Sequence, residues 1–303
     1  MTMITCARHN RYEADYHCAR CQAGFCRACA VAKQMGNTKF IVCPTCGDRL
    51  TDLSLYRPAV PFWYRMPQLL FYPLQGDGWV RMLGWAAFSA VVLGLASIGS
   101  IFGLAFWLLY TSLLISYFYR IIARSEDGKF DIPDWTEFTS FYDLIWPVIQ
   151  FWIAGLMVFW PLAAFAVISI IAKQSVIEGL ASMLTPGGLA LMAILIPLGL
   201  FYLPMSLLAM GVFKSVKMVA NPVFLTRQII RIWKEYLLAC LLMFSLLLTY
   251  GLISGVMSMF LYTLGLVRYL VVFPINGMMQ LYLYMVIGHL LGYLAYQTRF
   301  KLK

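Results

Sequence analysis

The chain has 303 residues, of which 62% are hydrophobic and only 12% are charged. An ordinary soluble domain is about half apolar and about a quarter charged, so this composition excludes a soluble enzyme. It also excludes a disordered chain, which needs low hydrophobicity. The formal net charge is +10, from 23 Lys and Arg against 13 Asp and Glu. In a membrane protein, the distribution of basic residues between the loops indicates which side of the membrane faces the cytosol.

The cysteines divide the chain into three predicted parts. Seven of the eight lie in the first 46 residues, and the eighth, Cys240, stands in an apolar run. We expect a cytosolic zinc-finger module over residues 1–50, a linker and interfacial segment rich in proline and aromatic residues over 51–78, and a six-span transmembrane domain over 79–303. The N-terminus has no basic region followed by an apolar stretch, so we expect no signal peptide and a module that stays in the cytosol.

The first of these parts contains eight soft metal ligands in four pairs. Each pair is separated by two residues, which suits two corners of a tetrahedral Zn²⁺ site, so four pairs predict two structural Zn²⁺ ions. A disulfide framework is disfavoured because cytosolic thiols stay reduced. It is also disfavoured because the module contains seven cysteines, an odd number that would leave one unpaired. An iron–sulfur cluster would leave the histidine unexplained. The pairs are Cys6 with His9, Cys18 with Cys21, Cys26 with Cys29, and Cys43 with Cys46.

The four pairs can be divided between the two ions in two ways. Only four residues separate Cys21 from Cys26, which favours an interleaved, cross-brace arrangement. A sequential arrangement, in which neighbouring pairs share an ion, stays the alternative. In either case all four corners are protein ligands, and such closed sites are structural rather than catalytic. The interleaved arrangement groups Cys6, His9, Cys26 and Cys29 at one ion and Cys18, Cys21, Cys43 and Cys46 at the other.

This ligand pattern resembles a B-box-type zinc finger over residues 4–48. The resemblance rests on the Cys-x2-His opening, the Cys-x2-Cys-x4-Cys-x2-Cys centre and the closing pair. It departs from the B-box at 43–47, where Cys-Pro-Thr-Cys-Gly looks like a zinc-ribbon knuckle. The resemblance implies that residues 1–50 bind an unidentified protein partner. No predicted helix or sheet collects the basic residues of the module, so we expect no nucleic-acid binding.

Six apolar stretches follow, each close to the length of about 20 residues that a membrane span requires. We expect an all-α polytopic fold in which the six helices form three hairpins, each led by an interfacial segment. The layout loosely resembles a group of polytopic bacterial domains of unknown function over residues 76–296, which implies a bacterial inner (cytoplasmic) membrane. The spans are predicted at about 80–98, 101–122, 148–171, 188–213, 236–260 and 270–296, and the interfacial segments at 67–79, 134–146 and 221–236.

In the last interfacial segment the predicted helix has two faces. Its apolar side is expected to carry Phe224, Ile229, Ile230 and Trp233, and its basic side contains arginine and lysine. A helix of this kind lies in the plane of the membrane surface. The basic side consists of Arg227, Arg231 and Lys234.

The loops between the spans carry an orientation signal. Fourteen basic residues fall on one side and only Lys173 and Arg268 on the other, so the positive-inside rule predicts that both termini are cytosolic. The same residues predict contact with anionic lipid headgroups at the cytosolic face. The fourteen are Arg57, Arg65, Arg81, Arg120, Arg124, Lys129, Lys214, Lys217, Arg227, Arg231, Lys234, Arg299, Lys301 and Lys303.

The spans contain few polar groups. Asn276, Gln280 and His289 form a candidate intramembrane polar site in the last span, although helix packing is the favoured interpretation of this face. Pro161 lies in the middle of the third span, and Pro197 and Pro204 are expected to interrupt the fourth span. Kinked spans without transport are the favoured interpretation, and broken helices like those of transporters are the alternative. No nucleophile or catalytic metal motif is present, so we expect no enzyme. The favoured hypothesis is a non-catalytic membrane scaffold; the alternative is a component of a lipid or amphiphile transport system.

Overall fold

The computed structural model describes most of the chain and divides it into two compact units, Met1–Val60 and Pro61–Lys303. The division falls within the predicted linker. The described residues are 6–8, 14–26, 29–35, 38–52, 61–96, 101–135, 141–213, 216–260 and 266–298.

The N-terminal unit consists of short antiparallel strands around a core of cysteines. A three-stranded sheet has the order β2-β1-β5, in which Tyr16 pairs with both Phe25 and Asp52, and β3 and β4 form a separate two-stranded hairpin. The sequence did not predict these strands, because strands of two to five residues are too short to show an alternating pattern. The strands are β1 (Tyr16–Cys18), β2 (Ala23–Phe25), β3 (Val31–Met35), β4 (Thr38–Val42) and β5 (Thr51–Asp52).

The second unit is helical over its described residues. Six of its helices are long and apolar enough to cross a membrane, which confirms the six predicted spans. They are α2 (Gly78–Ala96), α3 (Ile101–Glu126), α4 (Phe141–Lys173), α6 (Pro186–Phe213), α9 (Trp233–Phe260) and α10 (Leu266–Thr298). The shorter helices are α1 (Met66–Leu70), α5 (Val176–Met183), α7 (Val216–Val219) and α8 (Pro222–Arg231).

The prolines do not break the helices that contain them. Pro161 lies inside α4, and Pro197 and Pro204 lie inside α6, which continues from Pro186 to Phe213. The predicted interruption of the fourth span by Pro197 and Pro204 was therefore wrong. Transmembrane helices tolerate proline where neighbouring groups satisfy the freed backbone. The hydroxyl of Tyr236 on α9 is such a group beside Pro204.

The segment that precedes the first span packs on the helical bundle. Phe62 and Leu69 are buried in the same core as the last turns of α10. The backbone N–H of Phe62 donates a 2.9 Å hydrogen bond to Gln297, and the hydroxyl of Tyr282 donates one of 2.9 Å to the carbonyl of Leu70. This segment is therefore part of the folded unit from Pro61 onward. Of the second predicted interfacial segment, residues 136–140 lie outside the described residues.

Helix α8 forms as predicted, but its apolar faces differ from the prediction. The Asn221 side chain caps it by accepting a 3.1 Å hydrogen bond from the N–H of Phe224. Ile229 is buried, whereas Ile230 is 66% exposed and Trp233 is 56% exposed. Ile229 and Ile230 are successive residues and point about 100° apart, and Trp233 is the first residue of α9 rather than a part of α8. The helix packs one apolar side on the bundle and leaves another uncovered by the described chain.

Candidate metal centre and the polar groups of the spans

Four cysteines from two distant parts of the N-terminal unit meet in one cluster. The sulfurs of Cys18, Cys21, Cys43 and Cys46 all lie within 4.8 Å of one another. The Sγ atoms of Cys18 and Cys46 are 3.5 Å apart, and those of Cys21 and Cys43 are 4.0 Å apart. A tetrahedral ion with bonds of about 2.3 Å to sulfur has edges of about 3.8 Å. The spacing therefore fits one metal ion at the centre of four thiolates.

The two halves of this cluster have the same local geometry. Each begins at a cysteine whose sulfur accepts a 3.4 Å hydrogen bond from a following backbone N–H, that of Cys21 for Cys18 and that of Thr45 for Cys43. Each is followed by a residue with positive φ, Gln22 at 51° and Gly47 at 73°. Each half therefore has left-handed backbone directly after its second ligand, which Gly47 adopts at no steric cost.

The second cluster holds three cysteines. The sulfurs of Cys6, Cys26 and Cys29 lie within 4.8 Å of one another, and all three residues are buried. Cys26 and Cys29 belong to a tight turn, in which the N–H of Cys29 donates a 3.0 Å hydrogen bond to the carbonyl of Cys26. These are the cysteines of the other ion in the interleaved arrangement. The predicted fourth ligand, His9, lies outside the described residues.

Electrostatics in the first cluster favour a cation. Burial disfavours the Cys43 thiolate, but the backbone N–H groups of Cys46 and Thr45 outweigh this effect and lower the pKa of Cys43 to about 6. The hydrogen bond with Cys46, together with burial, raises the pKa of Cys21 to about 12. In the other cluster, burial and the hydrogen bonds with Cys26 and Cys6 raise the pKa of Cys29 to about 11. Neighbouring thiols therefore resist losing their protons at the same time. A bound dication would stabilise the thiolates and allow all of them to ionise.

Comparisons with known proteins identify no relative of this chain. No protein family model, no curated protein and no solved structure matches the chain. The metal-binding capacity of the module consequently rests on its own cysteines, which form two groups that could hold metal ions.

In the spans, the three residues of the candidate polar site do not meet. They lie on one continuous helix, where 13 residues separate Asn276 from His289, a distance of about 20 Å at 1.5 Å per residue. Asn276 accepts hydrogen bonds from Tyr250 at 2.9 Å and Ser254 at 3.2 Å on α9. Gln280 accepts one of 2.7 Å from Tyr110 on α3. Each amide therefore joins α10 to a neighbouring helix.

His289 occupies a separate, aromatic environment. The residue is buried, and its Nδ1 lies 2.8 Å from the hydroxyl of Ser125 at the end of α3. Its ring stacks on Tyr72 with centroids 4.0 Å apart and meets the edge of Phe130 at 5.7 Å. The histidine is a packed and hydrogen-bonded part of the helix interface.

Small residues on α10 permit this interface. A Cβ atom on Gly292 would lie 2.5 Å from Cβ of Ser125 and 2.6 Å from the carbonyl oxygen of Ile122. One on Gly288 would lie 3.2 Å from the ring of Phe118. Glycine at these positions lets the two backbones approach closely.

The hydroxyl partners Ser125, Tyr110 and Tyr250 were not predicted, because a hydroxyl in an apolar span signals a hydrogen bond but not its partner.

Basic residues gather where α3 ends and α2 begins. Arg81 forms an ion pair of 2.6 Å with Asp134, Arg120 donates a 3.1 Å hydrogen bond to the carbonyl of Asp134, and Arg124 pairs with Asp131. The loop between α3 and α4 thus binds three arginines from two helices. This geometry places three of the fourteen predicted inside charges at one end of the bundle.

Proposed function

We propose that this protein is a non-catalytic membrane scaffold whose N-terminal module, held by two structural Zn²⁺ ions, binds a protein partner in the cytosol. The observation that carries the proposal is the four-sulfur cluster of Cys18, Cys21, Cys43 and Cys46. Four protein ligands leave no open position for water or substrate, so an ion there stabilises the module and does not activate a reactant.

Zinc is favoured by the chemistry of the donors. Soft thiolates in tetrahedral array select Zn²⁺ over Mg²⁺ or Ca²⁺, which prefer oxygen ligands. The second ion requires a fourth ligand beside Cys6, Cys26 and Cys29, and His9 is the predicted one. A unit of about 60 residues builds only a marginal core, and the buried cysteines make up most of the core described here. Metal binding would therefore supply much of its folding free energy.

The proposed orientation places both termini in the cytosol of a bacterial cell, with the spans as three hairpins in the inner (cytoplasmic) membrane. Fourteen basic residues against two support this orientation. The convergence of Arg81, Arg120 and Arg124 at one end of the bundle supports it further. A reporter fused after Lys303 is expected to read as cytosolic, and a periplasmic signal would contradict the orientation.

The function would consist of tethering. A module joined covalently to a membrane domain meets membrane-bound partners at a high effective concentration, which raises avidity without further contacts. In the spans, the half-buried amides of Asn276 and Gln280 and the buried ring of His289 form hydrogen bonds between helices, which supports an anchoring role. The scaffold therefore uses the spans as an anchor and the module as the binding surface.

The proposal is tested by metal analysis and by partner capture with the full-length chain. Purified wild-type protein is expected to hold two zinc ions per chain, and a metal-free chain would refute the proposal. In crosslinked native membranes, a stoichiometric partner should be captured by wild type and lost in the Cys43→Ser/Cys46→Ser variant. Cys240→Ser is the matched control, because Cys240 lies in α9 and belongs to neither cluster. Capture of the same partner by all three chains would contradict a role for the module.

One observation favours the alternative, a component of lipid or amphiphile transport. A cavity of about 430 Å³ lies between α4, α6, α7 and α8. Its lining on α6 runs from Leu195 to Tyr202, about 11 Å along the helix at 1.5 Å per residue, against a hydrocarbon core of about 30 Å. The cavity is thus large enough to hold part of an amphiphile, although by itself it does not form a path across the bilayer. Reconstituted protein that moves fluorescent phospholipid between leaflets faster than protein-free vesicles would favour transport.

A further inference from the structure

A short helix, α5, joins the third span to the fourth. It occupies Val176–Met183, and two residues connect it to each neighbour, since α4 ends at Lys173 and α6 begins at Pro186. Because six helices have the length and hydropathy of spans, the third of them ends on the side of the membrane opposite both termini. The connection that contains α5 therefore lies on that side.

Polar residues at both junctions make α5 a helix of its own. Gln174, directly after α4, has a positive φ of 54°, which ends the regular helix there. The side chain of Ser175 then caps α5 by accepting a 3.5 Å hydrogen bond from the N–H of Glu178. Thr185 accepts one of 3.3 Å from the N–H of Gly188 at the start of α6. Such caps satisfy backbone groups that have no partner within their helix.

Helix α5 has an apolar side and a polar side. Val176, Leu180 and Leu184 recur at intervals of four, and Ile177 lies beside them, all within an arc of about 100°. These four side chains are 48–81% exposed. Glu178 points about 160° away from Leu180. The described residues therefore leave the apolar side of α5 uncovered.

The two neighbouring spans determine how deep α5 lies. Their apolar segments have 29 residues in α4 and 28 in α6, or about 42–44 Å at 1.5 Å per residue. A bilayer with its headgroup regions measures about 40–45 Å, so both spans end among the headgroups. Each two-residue connection contains three peptide steps of about 3.8 Å, which keep α5 within about 11 Å of the spans at both ends.

At this depth, phospholipid is the apolar material that surrounds the chain. The uncovered side of α5 continues onto the spans, since Ile171 in the last turn of α4 is 69% exposed and Leu189 in the first turn of α6 is 48% exposed. Residues 174–188 contain Glu178 but no Lys or Arg. The contact of α5 therefore needs acyl chains and no anionic headgroup, unlike that expected of the basic helix α8.

The span that precedes α5 has few protein contacts of its own. In its most apolar window, α4 is only 6% buried, whereas α3 is 44% buried and α10 is 39% buried. The tilt of a span is set by its packing on other helices and by anchors at the interface. With so little packing, α4 depends on an anchor at its end.

We propose that α5 lies in the lipid interface opposite the termini, with its four exposed apolar side chains among the acyl chains and Glu178 towards the water. In this position it anchors α4 and α6 at that leaflet. The inference goes beyond the scaffold function, and it rests on the six spans rather than on the zinc module. The four side chains are those of Val176, Ile177, Leu180 and Leu184.

Photo-crosslinking of the full-length chain in native membranes tests the contact. In one chain p-benzoylphenylalanine replaces Leu180, and in the matched control it replaces Glu178, which points the opposite way. After irradiation, the chain altered at Leu180 is expected to gain the mass of one phospholipid in several times the yield of the control. Equal lipid yields would overturn the orientation. A covalent dimer, or an adduct with another protein, as the main product at Leu180 would overturn the lipid assignment.

Hydrogen exchange in nanodiscs of palmitoyl-oleoyl phosphatidylcholine tests the insertion independently. Ile177→Gln/Leu180→Gln should raise the exchange rate of the α5 amides several-fold, because a polar helix leaves the acyl region for water. Ile177→Leu/Leu180→Ile keeps the apolar side and should exchange like wild type. Equal exchange of the Gln double variant and wild type would overturn the insertion.

Discussion

The hydroxyl of Tyr236 bridges the backbone of α6 beside Pro204. It accepts a 3.3 Å hydrogen bond from the N–H of Met205 and donates one to the carbonyl of Phe201. Tyr236 lies on α9 and is fully buried. Proline disturbs the regular i to i−4 ladder because it lacks an N–H and crowds the preceding turn. The tyrosine therefore satisfies backbone groups next to the proline and joins two spans.

We expect Tyr236→Phe to lower the free energy of unfolding by about 1–3 kcal/mol, because buried backbone groups lose a partner. The loss should shrink in a Pro204→Ala background, where the ladder of α6 can close without help. Unfolding in mixed detergent micelles, followed by circular dichroism, measures both. An equal cost in the two backgrounds would show that the hydroxyl does not act through the proline.

Two double variants distinguish the arrangements of the metal clusters. Cys18→Ser/Cys43→Ser affects one ion in the interleaved arrangement and both ions in the sequential one. Cys6→Ser/Cys18→Ser has the opposite effect, both ions in the interleaved arrangement and one in the sequential. We expect zinc analysis to show about one ion lost from the first variant and both from the second. The reverse pattern would establish sequential sites.

The left-handed residues Gln22 and Gly47, which follow Cys21 and Cys46, predict opposite effects of two substitutions. Gly47→Ala should weaken zinc retention against a chelator, since the left-handed conformation costs a residue with a Cβ roughly 1–2 kcal/mol. Gln22→Gly should strengthen it for the same reason. Gly84→Ala in α2 is the control, because open space surrounds that position. Equal retention by all chains would mean that the turns do not limit the site.

Close packing between α3 and α10 predicts a further pair of outcomes. Gly292→Ala places a Cβ 2.6 Å from the carbonyl oxygen of Ile122, so the helices must separate at a cost of about 1–3 kcal/mol. Gly155→Ala in α4 meets nothing within 4 Å and should stabilise its helix by about 0.5–1 kcal/mol. Detergent unfolding midpoints that move in opposite directions are the expected result. Similar shifts would mean that the interface relaxes freely.

Loss of the Ser125 hydroxyl should also destabilise the bundle. Ser125→Ala leaves Nδ1 of His289 without this partner, at a cost of about 1–3 kcal/mol for a buried polar group. Because the ring still stacks on Tyr72, the helices should stay assembled. Thermal unfolding of the variant beside Ser245→Ala, which removes an exposed hydroxyl of α9, measures the difference. Equal stability of the two variants would argue against the hydrogen bond.

The spans and the ligand pairs could be predicted from the chain alone, because both signals are local. A helix that crosses a membrane needs a continuous apolar stretch, and a two-residue spacing suffices to place two sulfurs at one ion. The six predicted stretches all overlap observed spans. Boundaries shifted by a few residues, as for α4, which begins at Phe141 and extends beyond the apolar stretch.

Only tertiary structure decided which groups meet. Gly292 and Gly251 look alike in the chain, yet the first contacts α3 and the second faces open space. Asn276 and His289 share a helix but have different partners, Tyr250 and Ser125. Hydropathy reports where a residue lies relative to the bilayer, whereas contact depends on how helices cross and rotate. That geometry arises from packing and hydrogen bonds between segments far apart in the chain, which no local pattern encodes.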